Sequence, residues 1–215
     1  MSLFIPKSIS LALLASCLAL PVWADKIYDT NLAIVDQQLI PSYQGLLDSA
    51  SQYHESISNH CAQGGSLSVP AMRKSWNALA DAWMAAEHWR FGPIEAEQGR
   101  HSLWFWPDKH GRTGKQLRRF LSAKDMDKLE EARFAKISVA LQGLPAAERV
   151  LYSEAHVKNL KAGDYVCSFL TTNGKHIQNV AKTVLHEWQA QPDGYRALVA
   201  KSQSGDDLYA APIEV

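Results

Sequence analysis

The stretch Leu32–Ile57, LAIVDQQLIPSYQGLLDSASQYHESI, carries apolar or small residues at Leu32, Val35, Leu39, Tyr43, Leu46, Ala50, Tyr53 and Ile57. Steps of three and four residues paint one face of an α-helix, and Pro41, which lacks an amide hydrogen, is expected to start or kink it. The same period returns in Met72, Trp76, Leu79, Trp83 and Ala86, after Ser68-Val69-Pro70, where Ser68 can cap and Pro70 can sit in the first turn. This second helix is expected to stop at Gly92-Pro93. A third runs from about Asp125 to Tyr152 through Leu129, Ile137, Leu141, Leu144 and Leu151. A fourth carries Val166, Phe169, Asn173, Ile177, Val180, Val184 and Trp188 and ends before Pro192-Asp193-Gly194. No stretch alternates as a strand would. The expected fold is therefore all-α: an up-down four-helix bundle with a long structured insertion between helices 2 and 3.

Composition is enough for one sizeable core, and the length suggests one domain or two small ones. The 215 residues hold 22 Lys+Arg against 22 Asp+Glu, and 47% are hydrophobic. That excludes a disordered chain and provides no electrostatic case for binding nucleic acid. Seven Trp and seven Tyr supply large apolar surface for a chain of this length.

The amino terminus reads as a targeting signal. Lys7 precedes an apolar run, Ser8 to Leu20, and Pro21-Val22-Trp23-Ala24 comes before Asp25-Lys26. This pattern predicts a secretory signal peptide cut after Ala24, and the run is too short to span a bilayer. No transmembrane segment is expected elsewhere. The expected division is 1–24 signal peptide, 25–200 helical bundle and 201–215 polar tail, with the mature protein in the periplasm. An alternative lies in Leu14-Ala15-Ser16-Cys17, which resembles a lipobox and would anchor the chain to the outer membrane through a lipidated Cys17. Cleavage after Ala24 leaves Cys61 and Cys167. In an oxidising compartment a disulfide between them is the simplest expectation, with two buried thiols as the alternative. In an up-down bundle the end of the first helix and the start of the fourth share a pole, where these two cysteines fall.

The insertion, Phe91 to Ser122, is where special residues gather: Phe91-Gly92-Pro93, then Arg100-His101-Ser102-Leu103-Trp104-Phe105-Trp106-Pro107, then Asp108-Lys109-His110-Gly111-Arg112. Long structured insertions often hold function. Trp104, Phe105 and Trp106 either cap one end of the core or line a cleft with Arg100, His101 or His110.

The chain resembles the imelysin family of exported bacterial helical proteins. The resemblance is carried by Cys61, Trp76 and Trp83, by Glu87-His88-Trp89-Arg90-Phe91-Gly92-Pro93, by Trp106-Pro107, by Gly143-Leu144-Pro145-Ala146-Ala147-Glu148, and by Cys167 and Trp188. It implies a periplasmic or outer-membrane-associated protein linked to iron supply, in a family first classed as metallopeptidases. The family signature is a Gly-x-His-x-x-Glu run whose His and Glu project from one helix face as metal ligands. Here Gly143 and Glu148 match it, and Pro145 stands where the His should be. A ligand is lost, and Glu148 alone cannot hold a catalytic zinc. Pro145 is also expected to kink the third helix. Fuller relatives carry a second helical half, so the chain resembles a single-bundle member in which a site shared by two halves would need a partner chain.

No substitute catalytic set is evident. There is no His-Glu-x-x-His, and the eight histidines (His54, His60, His88, His101, His110, His156, His176 and His186) are scattered and expected mostly at the surface. Gly64-Gly65 and Gly111-x-x-Gly114 are too sparse for phosphate loops, and Lys115, Arg118 and Arg119 read as a solvated helix face. No catalytic residue is assigned. The candidate ligand-binding residues are Glu87, Arg90, Trp106 and Glu148, with Glu148 as the one metal candidate; its alternative role is an ion pair with Arg90 or Arg149. The expected function is a non-enzymatic envelope binding protein associated with iron uptake. Its partner would be an iron species, another divalent metal, a small ligand or an envelope protein. The alternatives are a divergent metallopeptidase and an envelope assembly module.

Overall fold

The computed structural model describes residues 20–62, 69–158, 160–161 and 163–202. Lys7, the run up to Ala19 with Cys17, the Ser68 cap, Gly64-Gly65 and the tail beyond Ser202 lie outside the described residues. Among those described the structure is all-α, with no strand, and none of the helices is long and apolar enough to cross a membrane. The chain forms two compact units, Met1–Gln38 with Gln189–Val215, and Leu39–Trp188.

In the smaller unit, helix α1 (Leu20–Ile34) contacts α10 (Tyr195–Lys201). Arg196 donates through Nε and Nη2 to the two carboxylate oxygens of Asp36 at 2.6 and 2.8 Å. This fork holds the Asp36 carboxyl below its ordinary range.

The larger unit holds the core. Helix α2 (Ile40–Ala62) buries Tyr43, Leu46, Ala50, Tyr53 and Ile57, the stripe expected from the period, and His60 beyond it. In the chain a π-helical turn, Val35–Leu39, which begins in the smaller unit, precedes it, and this wider turn suits Pro41, which cannot donate to the turn before it. Helix α3 (Val69–Ala86) packs on α2 and buries Met72, Trp76, Leu79, Trp83 and Ala86. It ends six residues before Gly92. There the Trp89 carbonyl accepts a hydrogen bond from the Tyr43 hydroxyl at 3.1 Å, and the Phe91 ring meets Trp188 edge-on at 5.6 Å. The insertion comprises a 3₁₀ turn (Gly92–Gln98), α4 (Gly99–Leu103) and α5 (Arg112–Ala123).

The long helix α9 (Tyr165–Gln189) runs antiparallel to α2. Cys61 bonds Cys167, His54 lies beside Gly174, and Ser51 accepts a hydrogen bond from Gln178 Nε2 at 3.0 Å, so positions fall along one helix as they rise along the other. A side chain at Gly174 would sit 3.3 Å from His54 Cα, and the glycine is what lets the two backbones approach. The disulfide Cys61–Cys167 joins the pole where the bundle topology placed both cysteines.

The third helical stretch departs from expectation. Asp125 to Tyr152 is not one helix with a kink but a series of short pieces: a 3₁₀ turn (Met126–Leu129), α6 (Glu131–Phe134), a second 3₁₀ turn (Val139–Leu141) and α7 (Leu144–Leu151), followed by α8 (Glu154–Val157). Two buried amides explain why the breaks are stable. Gln142 Nε2 donates to the carbonyls of Phe134, Ala135 and Ile137 at 3.1, 3.0 and 2.9 Å. Asn173 Nδ2, from α9, lies within 3.3 Å of the carbonyls of Leu141, Gln142 and Gly143 and closest, 2.8 Å, to Gln142. These carbonyls lose helical partners at each break and would otherwise be buried unpaired. Gly143 is the N-cap of α7 and Pro145 falls in its first turn, where a missing amide hydrogen costs nothing. Pro145 therefore opens a helix rather than bending one. Leu129, Leu141, Leu144 and Leu151 are nonetheless buried, as the spacing required, whereas Ile137 is only half-buried.

His60 and His176 are buried, against the expectation of surface histidines. The His176 ring packs edge-on to Phe134 at 5.7 Å. Burial lowers its pKa to about 4, and nearby Glu131 opposes that shift only weakly.

Stability should respond to these features in three ways. Replacing both cysteines (Cys61→Ser with Cys167→Ser) opens a closed loop with a sequence separation of 106 residues; urea denaturation is expected to show a loss of about 3–5 kcal/mol, and a loss below about 1 kcal/mol would contradict this. A methyl group at Gly143 would overlap the Leu103 and Ser102 carbonyl oxygens, the latter at 2.6 Å. Gly143→Ala is therefore expected to cost about 3 kcal/mol or more in thermal denaturation. On acidification the unfolded chain takes up the His176 proton near its ordinary pKa of 6.5, whereas the folded chain waits until about 4. This residue's contribution is thus complete above 6.5 and lost as pH falls toward 4. Comparing urea midpoints at about pH 7.5 and about pH 4.5, the decline should be shallower in His176→Gln than in the unaltered chain.

Candidate functional site

The site candidates are organised by one extended segment, Trp104 to Asp108, that leaves the end of α4 and leads into α5. Asp108 anchors it. Its carboxylate accepts the Arg112 and Thr113 amides at 2.6 and 3.2 Å and lies 3.9 Å from Arg149 Nη2. Burial opposes ionisation of Asp108, but these donors and the guanidinium together outweigh it and hold the carboxyl below its ordinary range. A carboxylate at the start of a helix also faces the positive end of its dipole. Between this anchor and α4 the chain presents Trp104 and Phe105 half-buried and Trp106 at 66% exposure.

Two clefts lie on either side of this segment and share Trp104 and Trp106. The first, about 580 Å³, is walled by Trp83, Glu87, Arg90 and Arg100, with Met84 and Pro107 at its edge. The second, about 460 Å³, is walled by Asp108, Pro145, Glu148, Arg149 and Tyr152. The structure thus brings Glu87, Arg90 and Trp106 together in one cleft and Glu148 with Trp106 in the other. Of the insertion residues weighed as cleft lining, Arg100 serves, bonded to Glu95 at 2.7 Å, while His101 and His110 line neither cleft.

Neither ion pair considered for Glu148 is formed. Glu148 is exposed, Arg149 faces Asp108, and Arg90 donates through Nε to the Glu87 carbonyl at 3.4 Å. On the other wall, Tyr152 is held by Asn77 at 3.0 Å and lies 4.9 Å beneath the Arg73 guanidinium, whose Nε donates to the Leu151 carbonyl at 2.9 Å. Trp76 Nε1 donates to the Leu144 carbonyl at 3.2 Å. These bonds fix the start and end of α7 against α3.

The family's metal motif can be tested on this geometry. Pro145 and Glu148 line the same cleft, as two positions three apart on a helix should. Glu148 offers one exposed carboxylate, Pro145 offers no donor atom, and both oxygens of the neighbouring Asp108 are engaged by backbone amides. Among the described residues no three His, Cys, Asp or Glu side chains gather as a metal would require. The donor set does not fit the motif's metal.

A protein-family model described as Imelysin, peptidase family M75, matches residues 39–213. Iron-regulated protein A of Synechococcus elongatus is 24% identical over 183 residues, covering 84% of this chain and 46% of the relative. The crystal structure of an imelysin-like protein from Psychrobacter arcticum 273-4 superposes with a TM-score of 0.70 at 22% identity, over 85% of this chain and 55% of that one. The chain spans about half the length of both relatives. With most of its residues matched by the family model, and with the fold of a solved imelysin-like protein, the chain belongs to the imelysin family.

Proposed function

We propose that this imelysin-family chain is an exported, non-enzymatic binding protein of the bacterial cell envelope, associated with iron uptake, and that Trp106 with Glu87, Arg90 and Glu148 holds its ligand. The observation that carries the reading is Trp106 itself. Its indole, 66% exposed, is a large aromatic surface open to contact, and it stands between two clefts that also carry Glu87, Arg90 and Glu148. An apolar platform with charged groups around it suits a compact ligand with a flat or apolar body and polar edges. The link to iron rests on the relative named Iron-regulated protein A. The non-enzymatic part rests on Pro145, which leaves the motif one ligand short. Export rests on the amino-terminal pattern, for which Asp25 would be the first residue of the mature chain and Cys17 the lipidated one in the alternative.

Calorimetric titration with ferric iron, ferrous iron, zinc and haem tests the site. At least one is expected to bind saturably, with affinity falling about tenfold in Trp106→Ala and severalfold in Glu148→Ala. Null titrations for all four, or binding unaffected by both variants, would sink the reading. Zinc-supplemented protein is expected not to cleave an unfolded protein substrate; chelator-sensitive cleavage would restore the metallopeptidase alternative. Mass spectrometry of the mature amino terminus decides between Asp25 and a lipidated Cys17.

A second reading, docking on an envelope protein, is favoured by Met84 and Tyr152, each 45% exposed beside Trp106. Co-purification that recovers a partner from the native envelope and fails with Trp106→Ala would favour it over the small ligand.

A further inference from the structure

A third cavity, about 590 Å³, lies between the 3₁₀ turn and α4 of the insertion, α6, and α9. Trp106, Glu87, Arg90 and Glu148 take no part in it. His176 forms part of its wall and is only 9% exposed, with Nε2 lacking any hydrogen-bond partner. A buried nitrogen left unpaired costs about 1–3 kcal/mol and calls for an explanation that a bound donor would supply. Glu131 and Glu187 line the same cavity, and no lysine or arginine does. Neither glutamate is in an ion pair among the described residues; Glu131 instead accepts from Asn179 Nδ2 at 2.5 Å. Ala132, Ala135, Val180 and Val184 make the rest of the wall largely apolar.

The chemistry selects the ligand's charge. Two carboxylates in a wall that holds no lysine or arginine favour a cation over an anion there, with Lys175 of α9 lying outside the wall. At neutral pH the imidazole is uncharged, so it adds a hydrogen-bonding nitrogen and no positive charge. We propose that this cavity binds a small organic amine as its ammonium ion, with Glu131 and Glu187 supplying the counter-charge, His176 Nε2 accepting an N–H, and the alanines and valines covering the carbon chain.

The test uses the full chain and three probes of similar size: 1,4-diaminobutane, n-butylamine and the uncharged 1-butanol. Calorimetry is expected to show saturable binding of at least one amine below about 10 mM and none of the alcohol. Affinity should fall about tenfold in Glu187→Gln, a change at the cavity rim, and in Glu131→Gln, and should weaken with added salt. The His176 ring signals in a proton–carbon spectrum should move on titration with the amine that binds. If His176→Gln fails to fold, the Glu187→Gln variant and the ring signals still decide. Equal binding of the alcohol, no saturable amine binding, affinity unchanged in both glutamate variants, or ring signals that stay fixed would overturn the proposal. So would displacement of bound amine by stoichiometric manganese(II), which would make the cavity a metal site.

Discussion

The side chain of Asn173 is the constraint on which the larger unit depends. It is fully buried, and its amide nitrogen is shared by the carbonyls of Leu141, Gln142 and Gly143, where one short turn ends and α7 begins. A helix running through this point would satisfy those carbonyls itself but would carry residues 144–151 along a single axis. Breaking it costs up to three buried acceptors, and Asn173 offsets that cost from a neighbouring helix. The break in turn lets Gly143 press against the backbone at the end of α4, with the Ser102 and Leu103 carbonyl oxygens in the space a side chain would need.

From that break the candidate site is built outward. Trp76 holds the Leu144 carbonyl and Arg73 holds the Leu151 carbonyl, so both ends of α7 are tied to α3. Arg149, on α7, faces Asp108, which caps α5 and anchors the Trp104–Asp108 segment. Trp106 is therefore exposed on an extended segment that is tied down two residues later, at Asp108. An exposed indole held this way loses little conformational entropy when something covers it, which is what a recognition platform needs.

Much of this was legible in the sequence, and the parts that were not share a cause. The stripes of α2, α3 and α9 follow from apolar spacing because each helix buries one face along its whole length. The pairing of Cys61 with Cys167 follows from the topology, which puts both at one pole of the bundle. The third stretch misled because its leucines keep helical spacing while the backbone between them does not. What breaks it is Gln142 and Asn173, polar residues whose partners are 5 to 8 and 30 to 32 positions away, and local pattern cannot show such bonds. Asn173 was visible on the apolar face of the fourth helix, and a polar residue in that position was the available signal. His176, three positions on, was obscured by the general preference of histidine for the surface. Glu87, Arg90, Trp106 and Glu148 were each locatable, but their division between two clefts depends on where the Trp104–Trp106 segment passes, which no spacing encodes.

Pro145 links the fold to the chemistry. At the second position of α7 a proline strengthens the start of the helix, because its fixed φ suits the first turn and its missing amide hydrogen had no intrahelical partner there. A histidine at the same position would keep a free amide and a more mobile backbone but would offer a ring nitrogen to the cleft beside Glu148. The two residues thus trade local rigidity against a donor atom. In this chain the trade falls on the side of rigidity, at the point where Asn173 already holds the preceding carbonyls. The cleft around Glu148 is consequently shaped by a firmly set helix start and an aromatic segment, and the groups it offers are the indoles and the fixed charges of Asp108, Glu148 and Arg149.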